Sequence, residues 1–129
     1  PGLAAKIARG PAFREGMSPE SYGALLADTK IALAPRGVSH ETFRIYESLR
    51  AGCVVLAARQ LPGWWSDGWP VIELDDWSGL AAQIDALLAD PARLADLSLR
   101  GQDWWRTRCS PEAVGRYIAG EIAARLANR

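Results

Sequence analysis

Three short apolar runs, Ile31-Ala32-Leu33-Ala34, Cys53-Val54-Val55-Leu56-Ala57 and Val71-Ile72-Glu73-Leu74, alternate with stretches of helical periodicity. This alternation constrains the fold more than any other feature of the chain. Runs of four or five residues with almost no polar alternate suit strands buried on both faces, and such strands belong to parallel sheets with helical crossovers. Ser18-Pro19-Glu20 reads as a helix start: a cap hydroxyl, proline in the first turn, then an acid. Tyr22, Leu25 and Leu26 follow at helical spacing, and the pattern ends near Asp28. A second helix is predicted from about Glu41 to Ala51, with Gly52 where a left-handed terminal residue belongs. After a turn-rich segment over 60–69, helices are predicted over 79–89, with Leu80, Ile84, Leu87 and Leu88 on one face, then from Pro91 to near Arg108. A last helix runs from Ser110-Pro111-Glu112 to the end. The predicted fold class is α/β, a Rossmann-like parallel sheet flanked by helices, with a helical C-terminal tail. Three strands are few for such a sheet, and Ala4 to Phe13 is the weak candidate for a fourth. With Pro1 in place of an initiating Met, the shortage leads to the expectation that the chain is one domain, a piece of a longer protein.

Composition removes several function classes. Fifteen basic residues balance fifteen acidic ones in 129, against a nucleic-acid binder or a polybasic membrane-surface module. Arginine outnumbers lysine 13 to 2, which reads as the coding bias of a GC-rich bacterial genome. No apolar run approaches the roughly 18 residues of a membrane span, and no signal-peptide pattern opens the chain. Cys53 and Cys109 fit neither a metal-ligand spacing nor a disulfide framework. A reducing, cytoplasmic setting follows as the expectation.

In open α/β sheets, ligands sit outside the carboxyl ends of the strands. That edge carries Arg36 to His40, the segment 60–69, and Asp75 with Asp76. The first places Arg36, Gly37, Ser39, His40 and Thr42 together, ending on a helix N-terminus. Free N–H groups and the helix dipole there favour an anion such as phosphate. Gly37 allows close backbone approach, and Arg36 can fork onto phosphate oxygens. Arg44 and Glu47 stand at i and i+3 on one helix face. Glu47 is placed to accept hydrogen bonds from ribose hydroxyls; the alternative is an Arg44–Glu47 surface ion pair.

Competing motifs fail. Gly37-Val38-Ser39-His40-Glu41 lacks the second glycine of a nucleophile elbow, and no later histidine could serve as base. Neither a dinucleotide fingerprint nor a Walker sequence occurs, and His40-Glu41 lacks the second histidine of a zinc protease.

Ala34-Pro35-Arg36-Gly37, then Thr42-Phe43-Arg44-Ile45-Tyr46-Glu47-Ser48-Leu49, then Ala51-Gly52-Cys53-Val54-Val55, resembles the C-terminal signature of exostosin-like glycosyltransferases. Leu61-Pro62 extends the likeness, which spans about Tyr22 to Asp76. The resemblance implies the nucleotide-sugar-binding part of a GT-B enzyme, in which two Rossmann-like domains face each other. It implies that Glu47 binds the donor's ribose, that Arg36 and Arg44 lie near its diphosphate, and that no metal is required. The acceptor, a glycan or lipid-linked molecule, would meet a separate N-terminal domain, so the isolated chain is expected not to turn over. The setting would then be cytoplasmic or peripheral to the inner face of the membrane. Thr42 and Ser48 stand where the family has serine and alanine. Ser39 occupies the position of a glutamate that many retaining GT-B enzymes carry, which favours inversion.

Other residues divide between two readings. His40 either contacts the sugar diphosphate or is a solvated loop histidine, and Glu41 is an acid at a helix start. One ring of Trp104 and Trp105 is expected on the sheet and the other at its edge. Trp64 and Trp65 could meet ligand or a domain interface. Cys53 is read as a small core residue, and Asp75-Asp76 as the start of the following helix rather than a metal site. The rival to a donor domain is a non-catalytic interaction module with Trp64, Trp65 and Trp69 as its partner surface. An open sheet edge would also permit pairing between copies of the chain.

Overall fold

The computed structural model describes residues 17–39, 41–61, 63 and 66–128. Its elements, in chain order, are α1 (Pro19–Ala27), β1 (Ile31–Ala34), α2 (Phe43–Ala51), β2 (Val54–Ala58), β3 (Ile72–Leu74), α3 (Leu80–Leu88), α4 (Pro91–Arg108) and α5 (Pro111–Ala127). Three helices start on the same chemistry. Ser18, Asp90 and Ser110 each accept the N–H three residues on, at 3.2, 3.0 and 3.1 Å, and a proline follows each cap. These caps satisfy N–H groups that the first turn leaves without a partner.

The strands form a parallel sheet in the order β1-β2-β3. Ile31 lies opposite Val54 and Ala34 opposite Ala57, while Leu56 lies opposite Ile72. Because side chains alternate along a strand, β2 feeds two cores. Val55 and Ala57 pack with Ala34, Ile45, Leu49 and Trp104 on one face. Val54 and Leu56 pack with Leu87 on the other, where Leu80, Ile84, Leu94 and Leu97 close the cluster. Among the described residues this is an α/β, Rossmann-like arrangement of three strands and five helices.

α4 reaches both cores, through Leu94 and Leu97 near its start and Trp104 near its end. Its middle approaches α2 closely at Gly101, where an added Cβ would come within 3.0 Å of Leu49 Cδ2. One turn earlier, Ser98 Oγ donates to the Gly52 carbonyl at 2.6 Å. These contacts fall just before β2 begins. α4 is thereby tied to the turn that leads from α2 into β2.

Several expectations shift in detail. β1 is not buried on both faces: Ala32 and Ala34 are buried, but Ile31 and Leu33 are half-buried, as suits an edge strand. α2 begins at Phe43 rather than Glu41, and β2 begins one residue late. Leu88 is 50% exposed, a hundred degrees round the helix from Leu87, which fills the core. The predicted left-handed glycine is Gly52, at φ 88°. Cys53 is fully buried, with burial pushing its thiol up, and it donates to the Leu26 carbonyl at 3.4 Å. Ala4 to Phe13 lies outside the described residues. No helix among those described is long and apolar enough to cross a membrane.

Candidate functional site

The route from β1 to β2 runs through α2, so the N-terminal end of α2 stands at the carboxyl end of β1. Thr42 precedes this helix in extended conformation but makes no side-chain cap, and its Oγ1 is buried without a hydrogen-bond partner. No acid occupies the first turn. Arg44 does, adding positive charge where the helix dipole is already positive. Such an end favours the approach of an anion.

A cleft of about 460 Å³ opens at this point, lined by Arg36, Gly37, Thr42, Arg44, Glu47 and Tyr22 among others. Five of the seven predicted site residues therefore come together. Ser39 is not part of the lining: its hydroxyl donates to the Glu41 carbonyl, and its own carbonyl accepts the Gly37 N–H at 3.2 Å. His40 lies outside the described residues. Gly37 has no left-handed backbone, and a Cβ there would meet Thr42 Cγ2 at an ordinary 3.6 Å. Its place in the cleft thus comes from position, not from a geometry only glycine allows.

No ion pair joins Arg44 to Glu47 among the described residues. Both line the cleft together with the Tyr22 side chain of α1. Burial, then the Glu47 carboxylate, push that phenol above its ordinary pKa. Tyr22, Arg44 and Glu47 also line a second, more apolar cleft of about 690 Å³ between α1, β1 and α2. The three side chains stand where the two clefts meet. Sequence reasoning missed Tyr22, which read only as a helix-spacing residue.

The remaining candidates fall elsewhere. Glu41 accepts from the Tyr46 hydroxyl instead of serving the start of α2. Asp75 takes Arg59 in a two-pronged pair, one contact at 3.0 Å, and Asp76 accepts the Ser78 N–H at 2.8 Å. Asp76 thus makes a local turn, and neither aspartate begins α3, which starts at Leu80. Trp104 is the core ring, its indole N–H donating to the Asp67 carbonyl at 3.2 Å. Trp105 packs, partly buried, against the same core, with the Arg50 guanidinium 5.1 Å from its ring centre. Trp69 packs against Trp104 at 5.9 Å and is half-buried, so it is no open partner surface. Trp64 and Trp65 lie outside the described residues. Among those described, no group of three or more His, Cys, Asp or Glu could hold a metal ion. A separate apolar groove beside Trp105, Val114 and Tyr117 lacks the paired arginine and carboxylate chemistry of the β1 edge.

Fold and site together define a Rossmann-like unit whose basic, carboxylate-bearing cleft sits at the carboxyl end of a strand. A family model described as glycosyl transferase-like matches residues 6–120. The chain belongs to that family. Comparison with curated proteins and with solved structures returned no match.

Proposed function

We propose that this chain is the nucleotide-sugar-binding domain of a GT-B glycosyltransferase of the exostosin-like kind. The observation that carries the reading is the convergence of Arg36, Thr42, Arg44 and Glu47 on one cleft at the N-terminal end of α2. A nucleoside diphosphate is an anion joined to a diol, and the cleft offers matching groups. Arg36, Arg44 and the helix end would receive the diphosphate. Glu47, one turn inside, would accept from the ribose hydroxyls. In glycosyl transfer the bond from the anomeric carbon to the diphosphate breaks, and charge builds on the departing phosphate oxygen. Fixed positive groups at that position stabilise the developing charge. His40 joins the set by its place in the loop, and Gly37 and Ser39 shape that loop. No metal enters this reading. A second GT-B domain would meet the glycan or lipid-linked acceptor and supply the base that deprotonates it.

Calorimetric titration with UDP, GDP, ADP and CMP tests the reading. Saturable binding of one nucleotide is expected, weakened at least tenfold in Glu47→Ala through loss of charge-assisted hydrogen bonds. Binding of a nucleotide with equal affinity by that variant would remove Glu47 from the site. No binding of any nucleotide would favour an interaction module instead.

A further inference from the structure

From Val114 to Ala127 every residue of α5 is exposed, and Ala113, near its start, is the helix's one buried residue. Val114, Ile118, Ile122 and Leu126, at 42, 51, 54 and 64% exposed, recur every fourth residue. Such a row forms a ridge inclined to the helix axis, here about 18 Å long. Phe43, 85% exposed, shares a groove of about 660 Å³ with Val114 and Ile118 and extends the apolar surface. Beside the ridge runs a second row, Gly115, Ala119, Ala123 and Ala127. A Cβ added at Gly115 would meet nothing within 4 Å. No contact among the described residues therefore asks for glycine there, although glycine weakens a helix interior. A row of large side chains next to a row of small ones makes a surface that is its own complement: the ridge of one helix fits the trough of another like it.

We propose that α5 pairs two copies of this chain about a two-fold axis, the helices antiparallel, with Val114 against the partner's Leu126 and Ile118 against the partner's Ile122. The inference is independent of the donor-site reading. Charge selects a second copy as the occupant. On α5, Glu112 and Glu121 balance Arg116 and Arg125, and the whole chain has a net charge of zero. Two copies therefore meet without net repulsion, whereas an anionic lipid surface would find no excess of positive charge. In this register Arg116, Glu121 and Arg125 stand level with the partner's Ala124, Ala119 and Gly115, so no like charges are opposed. Area agrees. The ridge and Phe43 leave on the order of 500 Å² of apolar surface in water, a patch of the size that marks an interaction site. The small-residue row brings it towards the ~800 Å² that each partner of a stable pair buries.

Sedimentation velocity of the 129-residue chain, followed over a wide range of concentration, tests the pairing. The wild type is expected to pass from monomer to dimer as concentration rises. Ile118→Lys, which enters a two-fold contact twice, should weaken the dimer at least a hundredfold. Ile118 is half exposed in the single copy, so the substituted chain should keep the wild-type circular dichroism and denaturant midpoint. A second variant, Ile122→Asp, should likewise stay monomeric alone. Mixed with Ile118→Lys it should restore association, because the antiparallel register sets the new lysine against the new aspartate and leaves one Ile118–Ile122 contact intact. A wild type that remains monomeric at every concentration would overturn the inference and leave the ridge to some other partner. A dimer that Ile118→Lys does not weaken would overturn it too, by moving the contact to another surface such as the open edge of β1. A mixture of the two variants that fails to associate would overturn the antiparallel register, and the proposed pairing with it.

Discussion

Ser48 sits inside α2, fully buried, and its hydroxyl has no hydrogen-bond partner among the described residues. A serine within a helix ordinarily returns its hydroxyl to the carbonyl four residues back. Here that satisfaction is missing, and an unpaired buried hydroxyl costs roughly 1–3 kcal/mol. Ser48→Ala removes the orphaned group and leaves only a small void. It is expected to raise stability by about 1 kcal/mol, read as a higher denaturant midpoint with an unchanged slope. A lowered midpoint would mean that the hydroxyl has found a partner. At this scale the sequence was most legible where chemistry follows from spacing on one helix. Arg44 and Glu47 share a face because three residues make nearly a turn. Tyr22 was illegible for the opposite reason, since its link to that face crosses between α1 and α2 and exists only after the helices pack. Glu41 misled: an acid before a helix reads as a start signal, but the Tyr46 hydroxyl takes it.

Among the elements, α2 is the one that ends on a left-handed glycine. Its last turn closes with the Gly52 N–H donating to the Leu49 carbonyl at 3.1 Å, and the Cys53 N–H to that of Ser48 at 2.9 Å. The glycine's left-handed backbone makes this turn possible, and L side chains adopt that conformation at a cost of roughly 1–2 kcal/mol. A Cβ there would also sit 2.8 Å from Gln102 Nε2, the movable end of a side chain. Gly52→Ala is therefore expected to lose about 1–2 kcal/mol of stability, mostly from backbone strain. Equilibrium denaturation measures it; a loss near zero would show that the helix end had rearranged. The strands and helices were readable because their apolar runs and caps carry the signal locally. The edge status of β1 was not, because a run of apolar residues looks alike whether one or both faces are covered. Its true burial depends on which neighbour lies beside it in the sheet.

For the molecule as a whole, the alkaline side is where stability is set by identifiable groups. Burial first, and then the Glu41 carboxylate, push the Tyr46 phenol well above its ordinary range. Burial likewise raises the Cys53 and Cys109 thiols. A group whose folded pKa is raised favours the protonated, folded form, so its contribution is whole below the unfolded value. It is lost as pH climbs through the folded one. The chain should thus lose stability above about pH 9, as thiols and then phenols begin to ionise in the unfolded state. Tyr46→Phe keeps the ring against Trp104, which lies 6.4 Å away, and removes one of these protons. Its midpoint in denaturant, followed from pH 8 to 11, should fall less steeply than that of the wild type. Equal slopes would mean that Tyr46 ionises freely.

α2 spans the distance between two different tasks. One end is anchored where Ser98 and Gly101 of α4 grip it beneath the sheet; the other faces the cleft. Nine helical residues measure about 14 Å, too short to bend appreciably, so the helix behaves as a strut. The height at which its first turn meets the cleft is set by contacts at the opposite end of the helix. The two ends can therefore vary separately: changes at the foundation alter how firmly the chain stands, and changes at the upper end alter the shape and charge of the cleft.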